Sequence, residues 1–199
     1  MHSAGSSVGE PMPDVAREII TAEMLTERIA ELGAVLSDDY RYRNPLLVAV
    51  MTGAMWFLAD LVRQMDIDLD VDFLALNRFD EGGRIRIASD TAVPITGRHV
   101  ILVEDLVDTG LSLSVLRALI SDREPVSLTT VTLIDKAVRR IADVPVEYRG
   151  FEAGDEYLIG YGFDHGGRFR NLPGVWVVMD PAGFLEDPDS FADRVFSGP

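Results

Sequence analysis

The run Val100-Ile101-Leu102-Val103-Glu104-Asp105-Leu106-Val107-Asp108-Thr109-Gly110-Leu111-Ser112 constrains the fold of this chain more than any other segment. Four consecutive apolar residues, three of them β-branched, predict a strand buried on both faces, as in a parallel sheet covered by helices on each side. Glu104 and Asp105 follow, where the C-terminal ends of strands open onto ligand sites in α/β sheets. Asp108-Thr109-Gly110 and Ser112 then lead into an apolar helical stretch, Leu113–Ile120. Gly110 permits close backbone approach, and the N–H groups of residues 109–112 point outward at a helix N-terminus. With the Thr109 and Ser112 hydroxyls as extra donors, such a turn can hold a phosphate dianion. Two neighbouring carboxylates can accept hydrogen bonds from adjacent sugar hydroxyls and share a magnesium ion.

Simpler readings of the same residues exist. Asp108 and Ser112 alone would serve as helix caps. An Asp-Thr-Gly triplet also serves aspartic proteases, but those need two copies in an all-β setting, and here one copy feeds a helix. The thirteen residues taken together favour a sugar-phosphate site, provided strand, loop and helix follow in that order.

The rest of the chain supplies that context. From Thr21, Leu25, Ile29, Leu32 and Leu36 recur at helical spacing. Leu46–Met51 reads as a buried strand ended by Thr52-Gly53, and a central helix runs on to about Met65. Val71–Leu76, Ser127–Ile134, Val144–Tyr148 and Val175–Met179 are further strand candidates. Strands alternating with helices predict an α/β fold with a central, mostly parallel sheet flanked by helices. Residues 77–98 break the rhythm with a turn-rich tip, Asn77 to Gly83, and a hairpin arm, Arg84–Ile87, which predicts a mobile flap. Residues 1–14, rich in Ser, Gly and Pro, are expected to be disordered. One domain is expected over residues 15–182, and residues 183–199 form an acidic tail without functional signal.

Charge and composition narrow the classes of partner. A formal net charge of −15 repels nucleic acid and anionic membranes, so neither is expected as a partner. A phosphorylated ligand then needs magnesium, backbone N–H groups or a few arginines to offset like charge. With no cysteine, disulfides, thiolate metal sites and thiol nucleophiles are excluded. Met1–Pro13 has neither the basic flank nor the apolar centre of a signal peptide. Leu46–Met65 is interrupted by Thr52, Gly53, Asp60 and Arg63, too broken to span a membrane. A soluble, cytoplasmic protein is expected.

The string from Val100 to Ser112 resembles the phosphoribosyl-pyrophosphate (PRPP) signature of type I phosphoribosyltransferases, and within them the hypoxanthine-guanine phosphoribosyltransferase family. The resemblance extends over roughly residues 20–182. Val48–Ala54 with Phe57–Leu61 is similar to the pyrophosphate loop and its helix, Thr132–Lys136 to the strand that ends in a base-recognising lysine, and Gly160–Asp164 with Phe169–Pro173 to the base hood. It implies the type I fold with a flap at 77–98 and a small hood at 150–175 plus an N-terminal segment. By the same resemblance, Glu104 and Asp105 hold the ribose hydroxyls, directly or through Mg2+. Thr109, Gly110, Leu111 and Ser112 cradle the 5-phosphate, Asp108 binds PRPP and acts as catalytic base near N7, and Thr52, Gly53 and Arg170 contact pyrophosphate. Lys136, Tyr157 and Leu158 contact the base, and Asp164 binds a second magnesium. His165 has no role in this scheme and is expected at the surface.

The implied activity moves a phosphoribosyl group from PRPP to a 6-oxopurine such as hypoxanthine or guanine, in purine salvage. The implied assembly is a homodimer or homotetramer. Two departures leave an alternative open. The usual lysine of the first loop is Thr52, and the flap's usual Ser-Tyr is Arg78-Phe79. These changes suit a different acceptor, such as a purine analogue, or less favourably a sensor without turnover. The peptide before the family's loop lysine is often cis, which leaves the state of Met51–Thr52 as a question for the structure.

Overall fold

The computed structural model of the chain describes residues 16–77 and 86–197. Residues 1–14, Arg78 and Phe79, on which several sequence expectations fall, lie outside the described residues. Among those described, the elements run β1 (Ala16–Ile20), α1 (Ala22–Tyr40), β2 (Leu46–Met51), α2 (Met55–Gln64), β3 (Asp70–Asn77), β4 (Arg86–Ser89), β5 (His99–Val107), α3 (Leu111–Ser121), β6 (Ser127–Asp135), a 3-10 turn (Ala137–Arg139), β7 (Tyr148–Glu152), β8 (Leu158–Ile159), β9 (Val175–Val178), α4 (Pro181–Glu186) and α5 (Pro188–Ser197). The main sheet has the order β4-β3-β2-β5-β6-β7. All its pairings are parallel except β3 with β4. This is the mostly parallel α/β architecture expected from the sequence.

The continuous apolar runs of β2 and β5 follow from helices on both faces. Leu47, Ala49, Ile101 and Val103 pack with Leu25, Ile29, Leu32 and Leu36 of α1 and Phe57, Leu58 and Leu61 of α2. Leu46, Val48, Val50, Val100 and Leu102 point the other way, into a cluster with Leu113, Leu116 and Ile120 of α3. Each Val, Leu, Ile or Phe among them contributes roughly 1.5–3 kcal/mol by leaving water. Thr21 caps α1, its hydroxyl accepting from the Met24 N–H at 3.3 Å.

Four features differ from expectation. β5 runs on to Val107, so Glu104 and Asp105 belong to the strand instead of following it. Val144–Tyr148 is not a strand; β7 begins only at Tyr148, where it pairs with Val131. The reason is local: Pro145 has no N–H, Val144 and Val146 pack inward against the α3 cluster, and the Thr130 N–H is taken by the Glu147 carboxylate at 2.7 Å. β9 is a strand but lies outside the main sheet, in a three-stranded sheet of order β1-β9-β8 whose pairings are antiparallel. The residues after Pro181, expected as an acidic tail, fold into α4 and α5. Phe184 and Phe191 pack there against Ile159, Phe169, Leu172 and Val178 of the small sheet and its loops.

Candidate active site

The turn between β5 and α3 is held by the segment after the 3-10 turn. The Thr109 carbonyl accepts from the Ile141 and Ala142 N–H groups at 2.9 and 3.0 Å. Gly110 has φ +80°, and a Cβ there would lie 2.8 Å from Arg140 Cδ and 3.0 Å from the Ala142 carbonyl oxygen. Both conformation and space therefore require glycine. Leu111 opens α3, and the first i→i+4 bond, Ser114 N–H to Gly110 carbonyl, closes at 2.8 Å. The N–H groups ahead of it have no partner within the helix and carry the positive end of its dipole.

This turn forms one wall of a cavity of about 590 Å³ lined by Glu104, Asp105, Leu106, Val107, Asp108, Thr109, Gly110, Ser112, Leu113, Lys136, Arg139, Asp155, Glu156, Tyr157, Leu158, Phe163 and Asp164. Ten of the fourteen candidate site residues meet there. Leu111, Thr52, Gly53 and Arg170 do not line it. Leu111 is half exposed on the outer side of the helix. Side chains alternate along a strand, so Glu104 leaves β5 on the Val100 and Leu102 face and Asp105 on the Ile101 and Val103 face. The two acids straddle the strand end, with Glu104 buried and Asp105 half-buried.

Gly53 sits directly behind Asp105. A Cβ on Gly53 would fall 1.7 Å from Asp105 Oδ2, and a Cβ on Gly162 would fall 2.5 Å from the Gly53 carbonyl oxygen. The loop after β2 is thus wedged between the β5 carboxylate and the Gly160–Asp164 turn. The Met51–Thr52 peptide is cis, and Thr52 is exposed. Arg170 braces the same turn, donating to the Gly162 carbonyl and pairing through Nη2 with Asp164 Oδ1 at 2.7 Å. Tyr161 donates to Asp60 of α2, a second tie between turn and loop helix. Burial, and then the Asp60 contact, push the Tyr161 phenol up, so it stays a donor across the ordinary pH range.

Lys136 follows β6, and its backbone N–H donates to the Val107 carbonyl at 2.9 Å. Its side chain is 6% exposed, and Nζ donates to the Glu156 carbonyl. Burial lowers the Lys136 pKa, and the nearby Asp108 carboxylate partly offsets that effect. Asp108 is bound by a cation that the sequence reading missed: Arg139 Nε donates to its Oδ1 at 2.5 Å. Asp155, Glu156 and Phe163 also line the cavity without having been singled out. The Arg139-Arg140 pair, three residues beyond Lys136 in so acidic a chain, was the available signal.

Tyr157 and Leu158 form the opposite wall. Burial, and then the Asp164 charge, raise the Tyr157 phenol pKa. Its hydroxyl hydrogen-bonds His165 Nδ1 at 2.9 Å, so His165 is not a free surface residue but part of the hood. Among the described residues no group of three or more His, Asp or Glu side chains converges as a metal cage. Six carboxylates face two side-chain cations, Lys136 and Arg139, around the cavity. Side-chain charge alone therefore does not attract a polyanion here.

The turn that opens α3, the two acids at the end of β5 and Tyr157 meet in one cavity at the C-terminal ends of parallel strands, where α/β enzymes bind their ligands. Residues 17–165 match the family described as the phosphoribosyl transferase domain. The hypoxanthine-guanine-xanthine phosphoribosyltransferase of Tritrichomonas foetus is 37% identical over 173 residues, covering 85% of this chain and 94% of that protein. The hypoxanthine phosphoribosyltransferase of Haemophilus influenzae is 40% identical over 168 residues, covering 81% and 94%. A crystal structure of a hypoxanthine-guanine phosphoribosyltransferase from Bacillus anthracis superposes with a TM-score of 0.80 at 34% identity, covering 83% of this chain and 99% of that one. The chain belongs to the hypoxanthine-guanine phosphoribosyltransferase family.

Proposed function

We propose that the protein transfers the 5-phosphoribosyl group of PRPP to a 6-oxopurine, hypoxanthine or guanine, releasing pyrophosphate in purine salvage. The observation that carries this reading is a single cavity in which the Thr109–Ser112 turn and the Glu104 and Asp105 carboxylates face Lys136 and Tyr157. In this scheme the turn's N–H groups and hydroxyls hold the 5-phosphate, and Glu104 and Asp105 hold the ribose hydroxyls. Lys136 donates to the 6-oxo group while Tyr157 stacks on the ring. Asp108 accepts the proton or hydrogen bond at N7, which requires it to exchange its contact with Arg139. The acidic walls tolerate positive charge on a ribose ring that becomes oxocarbenium-like as pyrophosphate leaves.

The donor set fits magnesium. One or two carboxylates with room for substrate oxygens and water is the usual magnesium arrangement, whereas a closed cage of three or more is not needed. Glu104 and Asp105 would hold the ion, which when bound neutralises charge on the diphosphate. Asp164 is occupied by Arg170 and by the Gly167 N–H at 2.7 Å, so a second ion there requires one of these contacts to yield. The proposal includes a cytoplasmic location and a homodimer or homotetramer, the latter checked by light scattering of the purified protein.

A second reading, transfer to a purine analogue, draws on Thr52, which places an exposed neutral side chain where the family usually has a lysine. Both readings are separated by a panel of bases assayed for pyrophosphate release with PRPP and Mg2+, with Asp108→Asn as control. Rapid turnover with hypoxanthine or guanine supports salvage. Turnover confined to another purine supports the second reading, and PRPP binding without turnover on any base supports a sensor.

A further inference from the structure

The hood is completed by residues beyond the 17–165 match, in the acidic C-terminal segment. Phe184 of α4 is fully buried, its ring centroid 5.8 Å from that of Tyr157 and 4.8 Å from that of His165. The Tyr157 and His165 rings meet edge-on at 6.1 Å, so the three side chains form a closed triangle, tied by the Tyr157–His165 hydrogen bond. Behind them, Phe184 touches Phe169 at 5.5 Å and Phe191 of α5 at 4.7 Å. Arg168 of the hood loop pairs with Asp189 of α5 at 2.6 Å. α4 itself is fixed by a cap, the Asp180 carboxylate accepting from the Gly183 N–H. Phe184 does not line the cavity, yet it backs the one aromatic side chain on the cavity's hood wall that also bonds within that cluster.

We infer that α4 and α5 are a working part of the base site, with Phe184 as a positioning residue that sets the Tyr157 ring for the purine. This rests on the base-binding reading of Tyr157. Ring contacts of this kind lie within the range of aromatic pairs, and they restrict the tilt that Tyr157 can adopt. A base that stacks on Tyr157 then meets a ring already oriented, and the cost of ordering it does not fall on binding. PRPP, bound at the opposite wall, has no such dependence.

The test compares Phe184→Ala and Phe184→Leu in the full chain with wild type. Phe184→Ala is expected to raise KM for hypoxanthine or guanine about tenfold with KM for PRPP within about twofold. Phe184→Leu, which keeps apolar volume without the ring, is expected to fall between. If Phe184→Ala does not fold, Phe184→Leu decides by the same split. Equal movement of both KM values, or an unchanged base KM in a folded variant, overturns the inference. Hydrogen exchange provides a reading independent of turnover. The Tyr161, Gly162 and Phe163 amides, bonded to Leu172, Arg170 and Gly160 carbonyls, should exchange faster in the variants while those of α1 do not change. Should wild type turn over no 6-oxopurine, the base-binding reading fails on its own. Unchanged exchange in the hood would then overturn the packing role of Phe184 as well, and faster exchange would leave Phe184 holding the hood with no part in base binding.

Discussion

The two ends of the cavity are built in opposite ways. At the end proposed for the phosphate, Glu104 to Ser112 are contiguous, and strand, turn and helix start are one stretch of nine residues, braced by Gly53 behind Asp105, by Lys136 and Arg139, and by the 140–142 segment. At the base end, Tyr157 depends on β8, on β9 and β1 beside it, and on α4 behind it, segments separated by most of the chain. A local site is fixed by its own backbone geometry and tolerates few substitutions. A site assembled from distant segments is fixed by packing, and loses precision by degrees.

Asp108, between the two ends, should show the largest effect. Asp108→Asn is expected to lower kcat by about 10²–10⁴-fold, the usual size of a general-base loss. PRPP binding measured by calorimetry should persist, since the turn beyond it is untouched. Loss of PRPP binding instead would place Asp108 wholly in the phosphate end. Next, Gly110→Ala forces a Cβ into a left-handed backbone and against Arg140 and Ala142. Strain of about 1–3 kcal/mol corresponds to a roughly 10–100-fold loss in kcat/KM, expected in KM for PRPP and not for base. A shift in base KM alone would break the division between the ends.

Lys136→Met should lower kcat/KM for the base by about tenfold or more through loss of a charged donor, with PRPP binding kept. It also carries a pH signature. Burial depresses the Lys136 pKa below its usual value near 10.5. Between the folded and unfolded values the unfolded chain binds the extra proton, so stability rises with pH in that window. Thermal melts should show wild type gaining on Lys136→Met as pH climbs toward 10.5 from below. Wild type losing ground to Lys136→Met over that range would contradict the burial of a protonated amine. Smallest should be Tyr161→Phe, which cuts the tie from the hood turn to Asp60. A loss of about 1 kcal/mol, or a Tm lower by about 2–4 °C, is expected with little change in kcat.

The same contrast explains what could be read from the sequence. α1, β2, β5 and α3 were legible because periodicity and an uninterrupted apolar run are local signals, and Leu25, Ile29, Leu32 and Leu36 do form the buried face of α1. The turn between β5 and α3 was legible for the same reason. Arg139 was not, because its partner Asp108 lies 31 residues away and pairing needs the fold. Nor was Phe184: its place behind Tyr157 is set by α4 returning onto the small sheet, while Asp and Glu around it give the tail a solvent-facing look. Val144 and Val146 misled because β-branched residues also pack well in an extended loop, and Glu147 takes the Thr130 N–H that a strand partner would use. Thr52 and Arg170 do not line the cavity, and the close approach of Gly162 to Gly53 beside them is a contact between segments that no local pattern reveals.

Both ends of the cavity are proposed to serve one ligand. A crystal structure with a 6-oxopurine 5′-monophosphate tests it most directly. The phosphate is expected against the backbone N–H groups of residues 109–112, the ring on Tyr157 and its oxo group at Lys136 Nζ. A nucleotide whose phosphate lies away from that turn, or whose base leaves Tyr157 and Lys136 untouched, would contradict it.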